Sequence, residues 1–140
     1  MKRRLKIIDQ IIRELKAART IAVAGHMRPD GDCIGSELAI GYALKNLGKK
    51  VTIFSQDEMP DKLAFLDPSK ILTGPRTPRP FDTAVVVDCA NFERMGTICD
   101  SISKRGSLIN IDHHGSKTRY GEINWIDAQS ASSGELIYRL

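Results

Sequence analysis

His26, Asp30 and Asp32 stand within seven positions of one another in "AGHMRPDGDCIGS" (24–36); further on, "VVVDC" carries Asp88, and "IDHH" carries Asp112, His113 and His114. Any one of these has a plainer role. Asp is a common helix N-cap, and Asp32 stands where a following helix wants one. Brought together, four carboxylates without a counterion would repel one another and raise one another's pKa, and a cation is the simplest remedy. Carboxylates with imidazole and no thiolate suit Mn²⁺, Mg²⁺ or Fe²⁺ better than a structural zinc, although zinc stays open. The number of ligands suggests more than one ion. Two ions ~3.5–4 Å apart are the usual clamp for hydrolysing phosphate esters, because they generate a hydroxide and stabilise charge on the attacked and leaving oxygens.

The elements between these residues say how they could meet. Ile7, Ile8, Ile11, Ile12 and Leu15 recur at helical spacing and give a first helix with one buried stripe. "TIAVAG" (20–25) then reads as a strand buried on both faces, followed by a helix from about Cys33 to Leu47 closed by Gly48. "KVTIFS" (50–55) is a second strand and "PDKLAFL" a short helix begun by Pro60, whereas "GPRTPRP" (74–80), with three of the six prolines, is a loop. "DTAVVVDC" (82–89) and "SLINID" (107–112) are strands around a helix expected over "RMGTICDSISKRG" (94–106), with Gly106 at its end. "EINWID" (122–127) is a last strand, and "SASSGELIYRL" opens a last helix with serine caps.

That alternation implies an α/β fold: a three-layer, open, mostly parallel sheet with helices on both faces and right-handed crossovers. Ligands of such sheets bind beyond the carboxyl ends of the strands, where strand order reverses. The strands ending at His26–Asp32, at Asp88 and at Asp112–His114 therefore deliver their acids and imidazoles to one edge. Asp88, on the central strand, is the candidate for a carboxylate shared between ions. Phosphate needs donors, and the expected helix start near Cys33, with Gly35 and Ser36 in its first turn, offers backbone N–H groups, as does the turn holding Ser132 and Ser133. Arg28, Lys117 and Arg119 fall in the flanking loops, where plain surface charge is the competing reading.

Composition sets the frame. The 140 residues, 41% hydrophobic and 27% charged, suit one folded domain, and no apolar run approaches the ~20 residues of a membrane span. The basic start "MKRRLKIIDQIIRELKAA" is interrupted by Asp9, Arg13 and Glu14, so it reads as an amphipathic helix rather than a signal peptide, and the chain as cytoplasmic. A formal charge of +4 is a weak pointer to polyanionic substrates. Cys33, Cys89 and Cys99 form no CxxC pair and read as reduced core residues.

"GHMRPDGDCIGS", "VVVDC" and "IDHH", in this order and spacing, resemble the first three motifs of the DHH family of metal-dependent phosphoesterases, from about residue 20 onward. The stretch from "HHGSKTRYGEINWID" to "SASSGELIYRL" is most similar to the branch of bifunctional oligoribonuclease and pAp phosphatase proteins. The resemblance implies a Rossmann-like domain holding two Mn²⁺, with Mg²⁺ or another divalent ion as substitute. His26 and Asp30 would hold one ion, Asp32 and His113 the other, and Asp88 would bridge them. Asp112 would coordinate or support the second, and His114 would face the substrate phosphate. The implied substrate is a short oligoribonucleotide or pAp, with cyclic or linear dinucleotides and pyrophosphate as alternatives that the motifs do not separate. Homodimerisation stays open.

Family members carry a fourth motif with a further metal-binding Asp and a smaller substrate-binding C-terminal domain, and neither is found in these 140 residues. The expectation is therefore a domain cut short, with weak activity at best, and a non-catalytic metal- or nucleotide-binding module is the competing class. A Rossmann dinucleotide binder fares badly, because His26, Asp30 and Asp32 replace the G-x-G-x-x-G fingerprint in the first turn.

Overall fold

The apolar runs form strands in a computed structural model that describes residues 2–115 and 118–140, with side chains from Lys6 onward. Helix α1 (Lys2–Ala17) leads into β1 (Thr20–Ala24), α2 (Gly31–Asn46) and β2 (Lys50–Phe54). A 3-10 helix, Asp61–Leu66, and the two-residue β3 (Leu72–Thr73) precede β4 (Phe81–Val87). A 3-10 turn, Phe92–Met95, and the short α3 (Ile98–Ser101) lead to β5 (Arg105–Asp112), β6 (Ile123–Ile126) and α4 (Ser133–Arg139).

The six strands form one sheet in the order β3-β2-β1-β4-β5-β6, and every pairing is parallel. The order reverses between β1 and β4, which is where a crevice opens beyond the strand ends in such folds. Side chains alternate along each strand and feed two separate cores. Ile21 and Val23 of β1 join Val85, Val87, Ile109 and Ile111 under Ile11 of α1, Ile34 and Leu38 of α2 and Leu136 of α4. Ala22, Ala24, Ala84 and Val86 face the opposite way, onto Met95, Ile98 and Ile102. Each fully buried aliphatic side chain contributes roughly 1.5–3 kcal/mol, so this scaffold can hold acids out of water at its edge.

Three expectations are corrected. The helix expected over 94–106 is broken, because Gly96 adopts φ +63° and ends the Phe92–Met95 turn, and β5 begins at Arg105. Gly106 lies inside that strand rather than ending a helix: a Cβ there would sit 2.4 Å from the Asp82 carbonyl oxygen, so only glycine permits this approach. Helix α2 starts at Gly31, two residues earlier than read, and its N-cap is Asp30, whose Oδ1 accepts from the Cys33 N–H at 2.9 Å. Asp32 is thus free of capping, and Ser36 falls in the second turn, where backbone N–H groups are committed to the helix. Strand β3 had no signal beyond two apolar residues.

Candidate metal centre

The loop after β1 is held from both sides before its side chains reach the site. Met27 N–H donates to the Arg94 carbonyl at 2.6 Å, and the Arg28 N–H donates to Asp57 Oδ2 at 2.5 Å. Arg28 has φ 51° and Asp88, immediately after β4, has φ 55°. A non-glycine residue in the left-handed region is tolerated most readily as Asn or Asp and is concentrated at functional turns. Register carries the site across the sheet. Val87 pairs with Ile111, so Asp88 and Asp112 stand level, and the Asp88 N–H donates to the Ile111 carbonyl at 3.0 Å.

Asp88 is the hub. Its side chain, 2% exposed, faces His26 Nε2 at 3.5 Å, His113 Nε2 at 3.6 Å and His114 Nδ1 at 3.7 Å. His113 Nε2 also lies 3.5 Å from Asp32 Oδ2, and His26 Nε2 lies 3.9 Å from Asp30 Oδ1. These separations are too long for good hydrogen bonds. Two donors on one ion, at metal–ligand distances of about 2.0–2.2 Å, stand no more than about 4.4 Å apart, and every pair above lies within that span.

The ring orientations agree with a shared cation. His26 Nδ1 lies 2.7 Å from the Met27 carbonyl, which can only accept, so Nδ1 carries the proton and Nε2 of the neutral ring turns its lone pair towards Asp88. Two acceptors then face each other, and a proton or a cation must lie between them. With a proton there, the Asp88 side chain raises the His26 pKa above its ordinary 6.5, against the opposing effect of burial. His114 is oriented differently: its Nδ1 sits 2.7 Å from Oδ1 of the fully buried Asp112, while the side chain stays 43% exposed. Asp112 Oδ2 is buried without a hydrogen-bond partner among the described residues.

The donor set therefore fits a divalent cation on oxygen and imidazole. Asp88, His113 and His114 offer ligand atoms within 4.8 Å of one another, and so do His26, Cys33 and Asp88. Cys33 is the poorer donor of its group, since burial and the neighbouring Glu37 push its thiol pKa far up and keep it protonated. Burial likewise drives the Cys89 thiol to about 12. Glu37, buried behind Cys33, has its pKa raised well above the ordinary carboxylate value by desolvation.

The serines read as phosphate donors already have partners within the protein. Ser36 is buried with its hydroxyl 3.4 Å from Asp32 Oδ1, and Ser132 caps α4 by accepting the Glu135 N–H at 3.0 Å. The Ser133 hydroxyl donates to Asp88 Oδ1 at 2.8 Å, and the Ser133 and Gly134 N–H groups donate to Asp32 at 2.9 and 2.8 Å. These donors are turned towards carboxylates. Arg28 and Arg119 are exposed. Arg119 is held near the end of β4, because Thr118 Oγ1 donates to Asn91 Oδ1 at 3.1 Å and the Tyr120 hydroxyl to the Cys89 carbonyl at 2.6 Å. Lys117 lies outside the described residues.

Sequence reading missed Glu37 and the grip of α4 on Asp32. The S-x-x-E spacing of Ser132 and Glu135 marks the helix start, but nothing local marks a partner 101 residues away.

Residues 20–140, which hold every residue of this centre, match the DHH family, N-terminal domain. The chain belongs to the DHH family. Its relatives include the bifunctional oligoribonuclease and PAP phosphatase NrnA of Thermus thermophilus, 30% identical over 136 residues, covering 96% of this chain and 39% of that protein. The NrnA of Bacillus subtilis is 31% identical over 134 residues, covering 94% and 41%. The chain thus spans about two fifths of the length of these relatives. Among solved structures, an exopolyphosphatase-related protein from Bacteroides fragilis superposes with a TM-score of 0.86 at 24% identity, covering 96% of this chain and 42% of that one. The exonuclease RecJ bound to manganese gives 0.56 at 14% identity, covering 95% and 34%. At these identities the structural likenesses establish the shared fold of the DHH domain. No described helix of this domain is long and apolar enough to cross a membrane.

Proposed function

We propose that this DHH domain is the metal-binding part of a hydrolase that cleaves phosphoester bonds in short oligoribonucleotides or in pAp through a two-metal site, with Mn²⁺ as the preferred ion. The observation that carries the reading is Asp88: one buried carboxylate faced by three imidazole nitrogens at 3.5–3.7 Å, at the edge where strand order reverses. Membership of a phosphoesterase family and similarity to NrnA proteins support the substrate class. Manganese is supported by the oxygen and imidazole donors and by its presence in RecJ.

His26 and Asp30 would hold one ion, Asp32 and His113 the other, and Asp88 both. When bound, the ions supply an activated hydroxide and stabilise charge on the phosphate oxygens. Every other task falls to the chain. The Met27 carbonyl keeps the His26 ring in the tautomer that leaves Nε2 free to ligate. Asp112 fixes His114 through Nδ1, leaving Nε2 on the exposed side of that ring to face a phosphate oxygen or leaving group. Arg28 and Arg119 add positive charge on the flanks and draw an anionic substrate in.

An assay of the 140-residue chain with Mn²⁺ against pAp, short oligoribonucleotides, cyclic and linear dinucleotides and pyrophosphate tests this reading. Release of phosphate from pAp or of mononucleotides from the short RNAs is expected, at low rate. Turnover confined to dinucleotides or pyrophosphate would replace the substrate, and ion binding with no turnover on any of them would make the chain a binding module.

A further inference from the structure

Helix α4 begins against the centre rather than beside it, and its first residues carry donors that only carboxylates receive. Ser133 is wholly buried. Its hydroxyl reaches Asp88 Oδ1 at 2.8 Å, its N–H reaches Asp32 Oδ2 at 2.9 Å, and the Gly134 N–H reaches Asp32 Oδ1 at 2.8 Å. The two N–H groups belong to the opening turn of a helix, where they have no partner within the helix and donate to the Asp32 carboxylate instead. Asp32 and Asp88 are the two carboxylates flanking His113 Nε2, at 3.5 and 3.6 Å. Two consecutive residues of α4 therefore span both sides of that nitrogen.

We infer that Ser133, with the Gly134 N–H, is a positioning element that fixes the spacing and orientation of Asp32 and Asp88 for the ion they share with His113, and does not itself receive the substrate phosphate. The inference rests on the metal-centre reading above. Hydrogen bonds behind metal ligands fix ligand orientation, and their loss costs about 10–100-fold in metal affinity.

Mn²⁺ titration by calorimetry, paired with thermal melting of the metal-free chain, tests it on wild type, Ser133→Ala, Ser133→Thr and Gly134→Ala. Ser133→Ala is expected to weaken Mn²⁺ binding at least tenfold, and Ser133→Thr, which keeps the hydroxyl, to recover most of that loss. Gly134→Ala keeps Ser133 and favours helix, but its Cβ would lie 3.3 Å from Asp32 Oδ1. Weaker Mn²⁺ binding without a lower melting temperature is expected there, a pattern that a merely structural role would not produce. Wild-type affinity in both Ser133→Ala and Gly134→Ala, or losses that only follow the melting temperature, would overturn the positioning role while leaving the metal centre standing. Absence of Mn²⁺ binding by the wild type would overturn the centre and the positioning role together.

Discussion

At the scale of single residues, His26 shows how the site's electrostatics become measurable. The neighbouring Asp88 side chain raises its pKa above the ordinary 6.5 in the metal-free protein. A raised imidazole pKa contributes stability that is fully present below the unfolded value and lost as pH rises through the folded value. Ion binding works in the opposite sense, because Nε2 must shed its proton to become a ligand. Below the raised pKa, Mn²⁺ affinity should therefore fall with pH, by up to about tenfold per unit for one released proton. Titrations across a pH series, in buffers of different ionisation heat, would show both the slope and the proton. Affinity independent of pH from about 5.5 to 8 would remove His26 from the ligand set. Asp88 adds a second residue-level property, since Asn tolerates its left-handed backbone better than Ala does.

At the scale of elements, the strands were legible and the segment between β4 and β5 was not. "TIAVAG", "DTAVVVDC" and "SLINID" are apolar runs ending in charge, and a parallel sheet buried on both faces has little other way to read. The 94–106 stretch misleads because Met95, Ile98, Cys99 and Ile102 keep a helical period across Gly96, whose φ of +63° breaks the helix. Gly106 mimics a C-cap for the same reason: a glycine needed for close backbone approach looks like one needed for a turn. Gly106→Ala should destabilise the domain by about 1–3 kcal/mol, the usual range for forced overpacking, since the colliding atom is a carbonyl of β4 and no side chain can move aside. Chemical denaturation would measure this, and an unchanged midpoint would refute the close-approach account. The capping residue was ambiguous for a different reason. Asp30 and Asp32 stand two apart, either side chain could have capped α2, and only the extended backbone of Asp30, φ −99° and ψ −174°, decides between them.

At the scale of the whole molecule, the ligand-type residues could be assigned to one edge from sequence because the fold class dictates where strand ends go. What could not be read was how that edge is braced. The contacts of Asp32 with Ser133 and Gly134 join residues about a hundred positions apart, and no periodicity encodes them. Glu37 was hidden in the same way, as an acid one turn after Cys33 that faces inward. The strand order β3-β2-β1-β4-β5-β6 puts the reversal between the strands that deliver His26–Asp32 and Asp88, so the topology and the chemistry meet at one place.

A role for Asp88 in joining two cation sites is open to calorimetric titration of Mn²⁺ into the purified chain and into Asp88→Asn. Two ions bound by the wild type, with both sites weakened by at least about tenfold in a folded Asp88→Asn protein, is the expected result. Two ions bound equally well by Asp88→Asn, or none by the wild type, would contradict it.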